Sequence, residues 1–412
     1  MIQNKHSATI LQSVLKYNQI TRSELCKILD ISAGALVKYI RPLLDTGILR
    51  ETSQQKANGA GRRAVYLEFN PERGVIIAIT LSRSRLQSAI LTTTGQITEM
   101  KTVPYDENST QETLIKMIES LVEQTLFVAH ERGQSPIGIG ISMGGQLDAK
   151  AGISSEYLFA KNWFNVPLQR IIEELTSIPT FLVKDTNACV LGEQFFGNGI
   201  GVDNFLSVWL GTGIGMGIVI GGENYVGSDG YAGEIGHTRG GDPSKLCYCG
   251  RLGCVETSTG KDYVLHKCRE GLEVGVMSSM KRYCNDDIAS LTLEHVIRAA
   301  DDGDRLAGGV FTEVGERIGL TLCDVANIFN PRMIILRGPL IDGNRHLFEV
   351  IKRTVLDHSL KKIANKLEIL YAQKDEGIQF KGLCSVVLDG LIGEIETMGE
   401  RAFLVRESRQ EE

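Results

Sequence analysis

The chain has 412 residues, a formal net charge of −6 and 42% hydrophobic residues, enough for two or three domains with sizeable cores. No apolar run approaches the length of a membrane span, and the first residues lack the apolar stretch of a signal peptide. The nine cysteines are an odd and scattered set, which argues against a disulfide framework. We therefore expect a cytoplasmic protein without membrane insertion.

The basic part of the chain lies at its beginning, where residues 1–65 hold ten Lys and Arg against four Asp and Glu. Three helices are predicted there. Apolar residues repeat at helical spacing over 10–15, a capping box at Thr21 and Glu24 begins a second helix, and Ser32 can cap a third. Strands at 49–53 and 64–69 would flank a glycine-rich tip. This order is typical of a winged helix-turn-helix domain, which we assign to residues 1–70.

The third helix and the wing tip carry the predicted DNA contacts. Small residues near the helix start would let the backbone enter a major groove, and the cations would reach phosphates or base edges. Pro42 should bend this helix. A small helical oligomerisation module is the alternative for the whole region. The candidate DNA-binding residues are Ala33, Val37, Lys38, Arg41, Arg62 and Arg63.

From about residue 71 the pattern changes to an α/β body. Helical patterns at 111–131 and 305–328 alternate with strand-like runs at 74–81, 137–141, 205–210, 214–220 and 333–336. We assign residues 71–190 and 381–412 to a small subdomain and residues 191–380 to a large one. Ligand-binding and active sites in such folds lie beyond the strand ends, and Asp185, Gly211 and Gly338 occupy such positions.

One short segment predicts a metal site. Cys247, Cys249 and Cys254 lie in an eight-residue run, and His237 precedes it by ten residues. Three thiolates and an imidazole make a four-ligand zinc set, and two glycines in the run allow a tight loop. Three unrelated buried thiols are the alternative. The spacing predicts one structural zinc ion per chain.

With these motifs the chain resembles the ROK family (repressors, open reading frames, kinases), whose body has an actin/hexokinase-type fold. The similarity runs from about residue 8 to 395. Its N-terminal helix-turn-helix is similar to that of the repressor branch. The motifs that carry the resemblance are 145–148, 184–187, 211–215, 234–237 and 247–256.

The resemblance also implies ligand-binding residues. Asp185 matches the general base of the family's sugar kinases, and Glu234, His237 and Glu256 match residues that hold sugar hydroxyls. Ordinary solvated carboxylates, or support for the metal, are the alternative for the two glutamates. Lys184 stands where the family usually has Asn. A basic side chain there would suit a phosphorylated or acidic ligand, or pair with Asp185.

Departures from the family pattern indicate whether this chain is a regulator or a kinase. The kinases' Asp-x-Gly-Gly-Thr motif is replaced by residues 80–84, and their late Gly-Gly is Arg337-Gly338. Because the phosphate-binding parts are altered, we predict a non-enzymatic repressor of carbohydrate uptake or catabolism genes, with Asp185 a vestigial base. An ATP-dependent sugar kinase carrying a DNA-binding head is the alternative. Arg83 could in principle bind a phosphate.

The predicted partners follow from that function. Helix-turn-helix proteins read two half-sites, so we expect a homodimer or a dimer of dimers on double-stranded operator DNA. The effector would be a sugar or sugar phosphate. A third possibility is control by a protein of the sugar phosphotransferase system rather than by free sugar.

Overall fold

A computed structural model describes residues 2–17, 19–54, 64–106, 108–372 and 377–398. Contacts divide the chain into two compact units. The first runs to Gly201 and resumes at Gly377, and the second runs from Val202 to Glu376. The N-terminal head and the small part of the body thus share the first unit. Within the described ranges, no helix has the length and apolar content needed to cross a membrane.

The head consists of α1 (Ile2–Tyr17), β1 (Ile20–Thr21), α2 (Arg22–Leu29), α3 (Ala33–Asp45), β2 (Leu49–Gln54) and β3 (Ala64–Phe69). At the start of α2, Thr21 Oγ1 accepts from the Glu24 amide at 3.3 Å, and the Thr21 amide donates to the Glu24 carboxylate at 2.8 Å. Ser32 caps α3 by accepting from the Ala35 amide. The strands form a sheet in the order β1-β3-β2, with β2 and β3 antiparallel. Helix α3 passes through Pro42, so the proline does not end it.

The rest of the first unit is built on a mixed sheet. Its elements are β4 (Val75–Ser82), β5 (Arg85–Thr92), β6 (Ile97–Pro104), α4 (Gln111–Glu131), β7 (Pro136–Met143), β8 (Gln146–Asp148), β9 (Ile153–Glu156), β10 (Phe164–Val166), α5 (Leu168–Thr176), β11 (Thr180–Lys184) and α6 (Asp185–Phe196). Five strands are ordered β11-β7-β4-β5-β6, and β8 to β10 form a small separate sheet. β4, β7 and β11 are parallel, which places the ends of β7 and β11 at one edge.

The second unit repeats this plan. Its strands are β12 (Phe205–Leu210), β13 (Ile214–Ile220), β14 (Glu223–Asn224), β15 (Met333–Arg337) and β16 (Glu368–Tyr371), in the order β14-β13-β12-β15-β16. The helices are α7 (Lys261–Glu273), α8 (Met280–Tyr283), α9 (Leu293–Asp301), α10 (Arg305–Phe329), α11 (Arg345–His358) and α12 (Lys361–Ala364). Three 3-10 turns occupy Ile235–His237, Val255–Ser258 and Ile288–Ser290. The predicted α/β body with two sheet-centred parts is confirmed.

The last helix of the described ranges, α13 (Ile378–Met398), joins the head to the body within the first unit. Strand β4 alternates its apolar side chains, so Ile77 and Ile79 join the core under α4, while Ile76 and Ala78 join the core that contains α13. The same core includes residues of α1 and α3. The head therefore shares an apolar core with the C-terminal helix.

Candidate metal and effector sites

The four predicted metal ligands lie together in the second unit. One donor atom from each of His237, Cys247, Cys249 and Cys254 falls within 4.8 Å of the other three. The Cys249 and Cys254 sulfurs are 3.6 Å apart, as are the Cys247 sulfur and His237 Nδ1. Cys247 and Cys254 are buried, whereas Cys249 is exposed. This group could bind a metal ion.

Backbone hydrogen bonds shape the loop that carries the cysteines. The Cys247 amide donates to the Arg251 carbonyl at 2.8 Å, and the Gly250 amide donates to the Cys247 carbonyl at 3.0 Å. Gly250 and Gly253 have φ of 82° and 76°, the left-handed region that favours glycine. The glycines therefore let the chain turn back and bring the sulfurs close to one another.

The pKa values of the cysteine thiols in this cluster are shifted in different directions. Burial raises the pKa of the Cys247 thiol well above its usual range, and the Glu256 carboxylate acts in the same direction. Burial also acts to raise the pKa of Cys249, but hydrogen bonds with Arg251, Cys254 and Cys247 together outweigh it and lower that pKa to about 7. A cation would be needed to hold all three sulfurs as thiolates.

Two carboxylates and a tyrosine surround His237. Glu256 is 7% exposed, and its Oε1 lies 3.0 Å from the Cys247 sulfur and 3.3 Å from His237 Nδ1. Glu234 Oε2 lies 3.8 Å from His237 Nε2. The Tyr248 hydroxyl is 3.1 Å from the same Nε2. The structure thus brings together three of the predicted ligand-binding residues.

Sequence reasoning missed Tyr248 and the contacts that hold the loop to the helices. Tyr248 lies between two predicted ligands, which was the only available signal. Arg317 of α10 donates to the Gly240 carbonyl at 3.3 Å, and the hydroxyl of Tyr263 in α7 donates to Glu313 of α10 at 2.8 Å. The ammonium of Lys245, a loop residue, lies 4.4 Å from the centre of the Tyr263 ring. Nothing in the sequence spacing pointed to this network.

The other two predicted ligand-binding residues lie in the first unit. Lys184 ends β11 and Asp185 begins α6, and both are partly buried. Burial raises the pKa of Asp185, whereas the charge of Lys184 acts to lower it. Burial also lowers the pKa of Lys184. A Cβ added to Gly144 would lie 3.3 Å from Asp185 Oδ2, so the end of β7 adjoins this carboxylate.

The altered phosphate motif forms a tight hairpin. β4 ends at Ser82 and β5 begins at Arg85, so only Arg83 and Ser84 make the turn. The Ser82 hydroxyl donates to the Arg85 carbonyl at 3.1 Å, and the Arg83 guanidinium lies 5.4 Å from the centre of the Phe159 ring. Arg337 lies in β15 and is 5% exposed. Side chains thus occupy positions at which the resemblance to the family's kinases implies glycines.

The predicted DNA contacts in α3 all face outward. Ala33, Val37, Lys38 and Arg41 are exposed, while Leu36, Ile40 and Leu43 on the opposite stripe are buried. Arg41 pairs with Asp45 at 3.7 Å, and both side chains are more than two-thirds exposed. The other two predicted contacts, Arg62 and Arg63, lie outside the described residues.

Comparison with known proteins agrees with the fold and the motifs. The ROK family profile matches residues 76–389. The chain is 28% identical to the xylose repressor of Caldicellulosiruptor bescii over 95% of this chain and 97% of that protein. It is 25% identical to the DNA-binding transcriptional dual regulator NagC of Escherichia coli over 91% of this chain and 90% of NagC.

A solved structure with the same architecture is a ROK family transcriptional regulator, a homologue of the Escherichia coli Mlc protein. It superimposes with a TM-score of 0.81 and 26% identity, over 95% of this chain and 98% of the other. Because this match covers 95% of the chain, it extends into the head, whereas the family profile begins at residue 76. The prediction of a transcriptional repressor is confirmed, and the chain belongs to the ROK family.

Proposed function

We propose that this protein represses genes of carbohydrate uptake or catabolism by binding operator DNA through its head. The observation that carries this proposal is the exposed face of α3, with Lys38 and Arg41, on a chain that matches repressors along nearly its whole length. Arg62 and Arg63 of the wing would add phosphate contacts. A homodimer or a dimer of dimers would place two heads on a roughly palindromic site.

The His and Cys group would hold one structural zinc ion. A nitrogen and three sulfurs are a common zinc donor set, and Zn–S bonds of about 2.3 Å at tetrahedral angles place two sulfurs about 3.8 Å apart. The 3.6 Å between the Cys249 and Cys254 sulfurs agrees with that spacing. A zinc ion bound there would supply structural rigidity to the loop. Its closed set of four protein ligands fits that role rather than catalysis.

The effector would be a carbohydrate, for which Glu234, His237 and Glu256 are the candidate ligands in the second unit and Lys184 and Asp185 those in the first. Carboxylates suit a polyol because each accepts hydrogen bonds from more than one hydroxyl. His237 would contribute Nδ1 to the metal and turn Nε2 towards the effector and Glu234. Lys184 would favour a phosphorylated or acidic sugar, because its ammonium can pair with an anion.

We also propose that the body transfers no phosphoryl group. Catalysis of that reaction depends on positioning and charge stabilisation of the phosphate, which need close approach of backbone amides and an organised cation. The Ser82–Arg85 hairpin places the Arg83 side chain against Phe159 instead. Asp185 would retain a binding role only.

Calorimetry tests the effector site directly. Xylose, glucose, N-acetylglucosamine and the 6-phosphates of the last two are titrated into wild type, Glu234→Ala and Glu223→Ala. Glu223 is an exposed carboxylate in β14 of the same unit and serves as the matched control. We expect at least one of these sugars to bind wild type and the control equally, and Glu234→Ala at least tenfold more weakly.

The same sugars are then added to complexes of wild type or Glu234→Ala with operator fragments, which are first selected from random DNA by binding to wild type. The effector should change operator affinity in wild type and leave Glu234→Ala unresponsive with its basal affinity intact. If no sugar binds wild type at millimolar concentration, control by a phosphotransferase-system protein replaces this proposal. If no DNA sequence is selected, the repressor proposal itself fails.

A further inference from the structure

The three cysteines of the metal group differ in their exposure to solvent. Cys249 is exposed, whereas Cys247 and Cys254 are 3% and 2% exposed. The Cys249 sulfur nevertheless lies only 3.6 Å from the sulfur of the buried residue Cys254. Cys249 is therefore the cysteine of the group at the surface, and Cys254 lies buried next to it.

We propose that Cys249 and Cys254 are a redox-active pair that closes into a disulfide when the protein meets a peroxide. The Cys249 sulfur attacks one peroxide oxygen, the O–O bond breaks, and one water leaves. The resulting sulfenic acid is attacked by the Cys254 sulfur, which forms the S–S bond and releases a second water. Two thiols thus lose two electrons and two protons, and the peroxide is reduced to two waters.

The neighbours of each sulfur favour Cys254 over Cys247 as the partner. Cys247 donates to Glu256 at 3.0 Å and lies 3.6 Å from His237 Nδ1, so two polar groups hold it in place. Cys254 faces the His237 carbonyl at 3.7 Å, a weaker contact. A disulfide needs an S–S distance of about 2.05 Å, so the two sulfurs must approach by roughly 1.5 Å. Gly250 and Gly253 lie between them and allow this movement.

Disulfide formation would remove two of the four donors from the metal group. A metal ion that depends on four ligands would then leave. Cys254 also precedes the Val255–Ser258 turn that carries Glu256, and its backbone bridges to Arg239, two residues after His237. Oxidation would therefore loosen both residues that link the metal to the effector. The metal-release part rests on the proposed zinc site, but the disulfide does not require a metal.

The experiment uses full-length protein purified under reducing conditions with zinc. It is treated with hydrogen peroxide while a chelating dye reports released zinc. Free thiols are then alkylated in denaturant, so that buried cysteines also react, and the peptides are mapped by mass spectrometry. We expect a mass loss of two hydrogens, a Cys249–Cys254 cross-link and one zinc ion released per disulfide. Dithiothreitol with added zinc should reverse all three changes.

Two variants separate this pair from other thiols. In Cys249→Ser, Cys254 should stay open to alkylation after peroxide treatment. In Cys26→Ser, which removes a partly exposed thiol of the head, the cross-link should form as in wild type. If Cys249→Ser does not fold, the wild-type map still decides. A free Cys254 in oxidised wild type, a cross-link to Cys247, or Cys249 trapped as a sulfinic acid would each overturn the proposal. A cross-link without zinc release would refute only the zinc assignment.

Discussion

Removal of the two cations of α3 should weaken DNA binding in a way that salt reveals. The double variant Lys38→Ala/Arg41→Ala would lose the two phosphate contacts that we propose for these side chains. Each contact contributes about 0.9 to the slope of log affinity against log salt, so the slope should fall by about 1.8. Over a rise from about 50 to about 200 mM salt, wild type should lose roughly twelvefold more affinity than the variant.

The stability of the folded protein should be nearly unchanged by this double substitution. Lys38 and Arg41 are exposed, and the Arg41–Asp45 pair has side chains that are 78% and 70% exposed. Such a pair on a helix contributes about 0.3–0.5 kcal/mol, and alanine recovers a few tenths through its helix propensity. Melting temperatures of variant and wild type should therefore agree closely.

The assay is fluorescence anisotropy with a labelled duplex at several salt concentrations. A duplex of arbitrary sequence suffices, because phosphate contacts do not depend on the bases. The matched control is Lys116→Ala/Arg170→Ala, which removes two cations from exposed i,i+4 pairs elsewhere in the first unit. An equal fall in slope in both double variants would mean that the overall field, and not contact at α3, drives binding. That result would refute the assignment of α3 as the recognition helix.

Three further predictions concern the body. Burial raises the pKa of Asp185 in the folded protein above its value in the unfolded chain. Ionisation of this carboxyl therefore destabilises the folded state, and the stability is lost as pH rises through the folded-state pKa. Asp185→Asn should therefore melt above wild type at pH 7, with the difference shrinking towards pH 4; equal melting at pH 7 would contradict this. A Cβ at Gly382 would lie 1.7 Å from the Ala188 carbonyl, whereas a Cβ at Gly393 on the same helix meets nothing within 4 Å. Denaturant unfolding should show a loss of about 2–3 kcal/mol for Gly382→Ala and none for Gly393→Ala; equal stability would show that α6 and α13 can separate freely. A coupled assay with ATP and common hexoses should show no turnover near the usual kinase scale of about 1–100 per second, and turnover in that range would establish the kinase alternative.

The sequence predicted strands best where apolar runs end in glycine turns. The expected bounds 205–210 and 214–220 coincide with β12 and β13, because Gly211 and Gly213 allow only a short connection between them. Residues 270–300 gave no such signal. Their helix α8 has only four residues, and its Met280 is buried in the core of the second unit, so tertiary packing rather than local pattern defines it.

The sequence predicted the metal ligands of the candidate site, but not the contacts that these ligands make with neighbouring side chains. The spacing of the cysteines and two glycines was enough to place the sulfurs together. The position of Glu256 against Cys247 depends on the turn at Val255–Ser258, and that of Tyr248 against His237 on how the loop closes. Neither follows from spacing, because each requires two segments to meet in three dimensions.

The packing of three helices in the first unit bears on how such a repressor can respond. Asp185 begins α6, and α6 lies in backbone contact with α13, since a Cβ at Gly192 would fall 2.1 Å from the Ile378 carbonyl. Helix α13 in turn shares its apolar core with α1 of the head. Close-packed elements transmit displacement instead of absorbing it. If the effector binds Asp185 more tightly in one arrangement of α6, as we propose, α13 would move with α6, and the differential affinity for the two arrangements would set how far DNA binding can change.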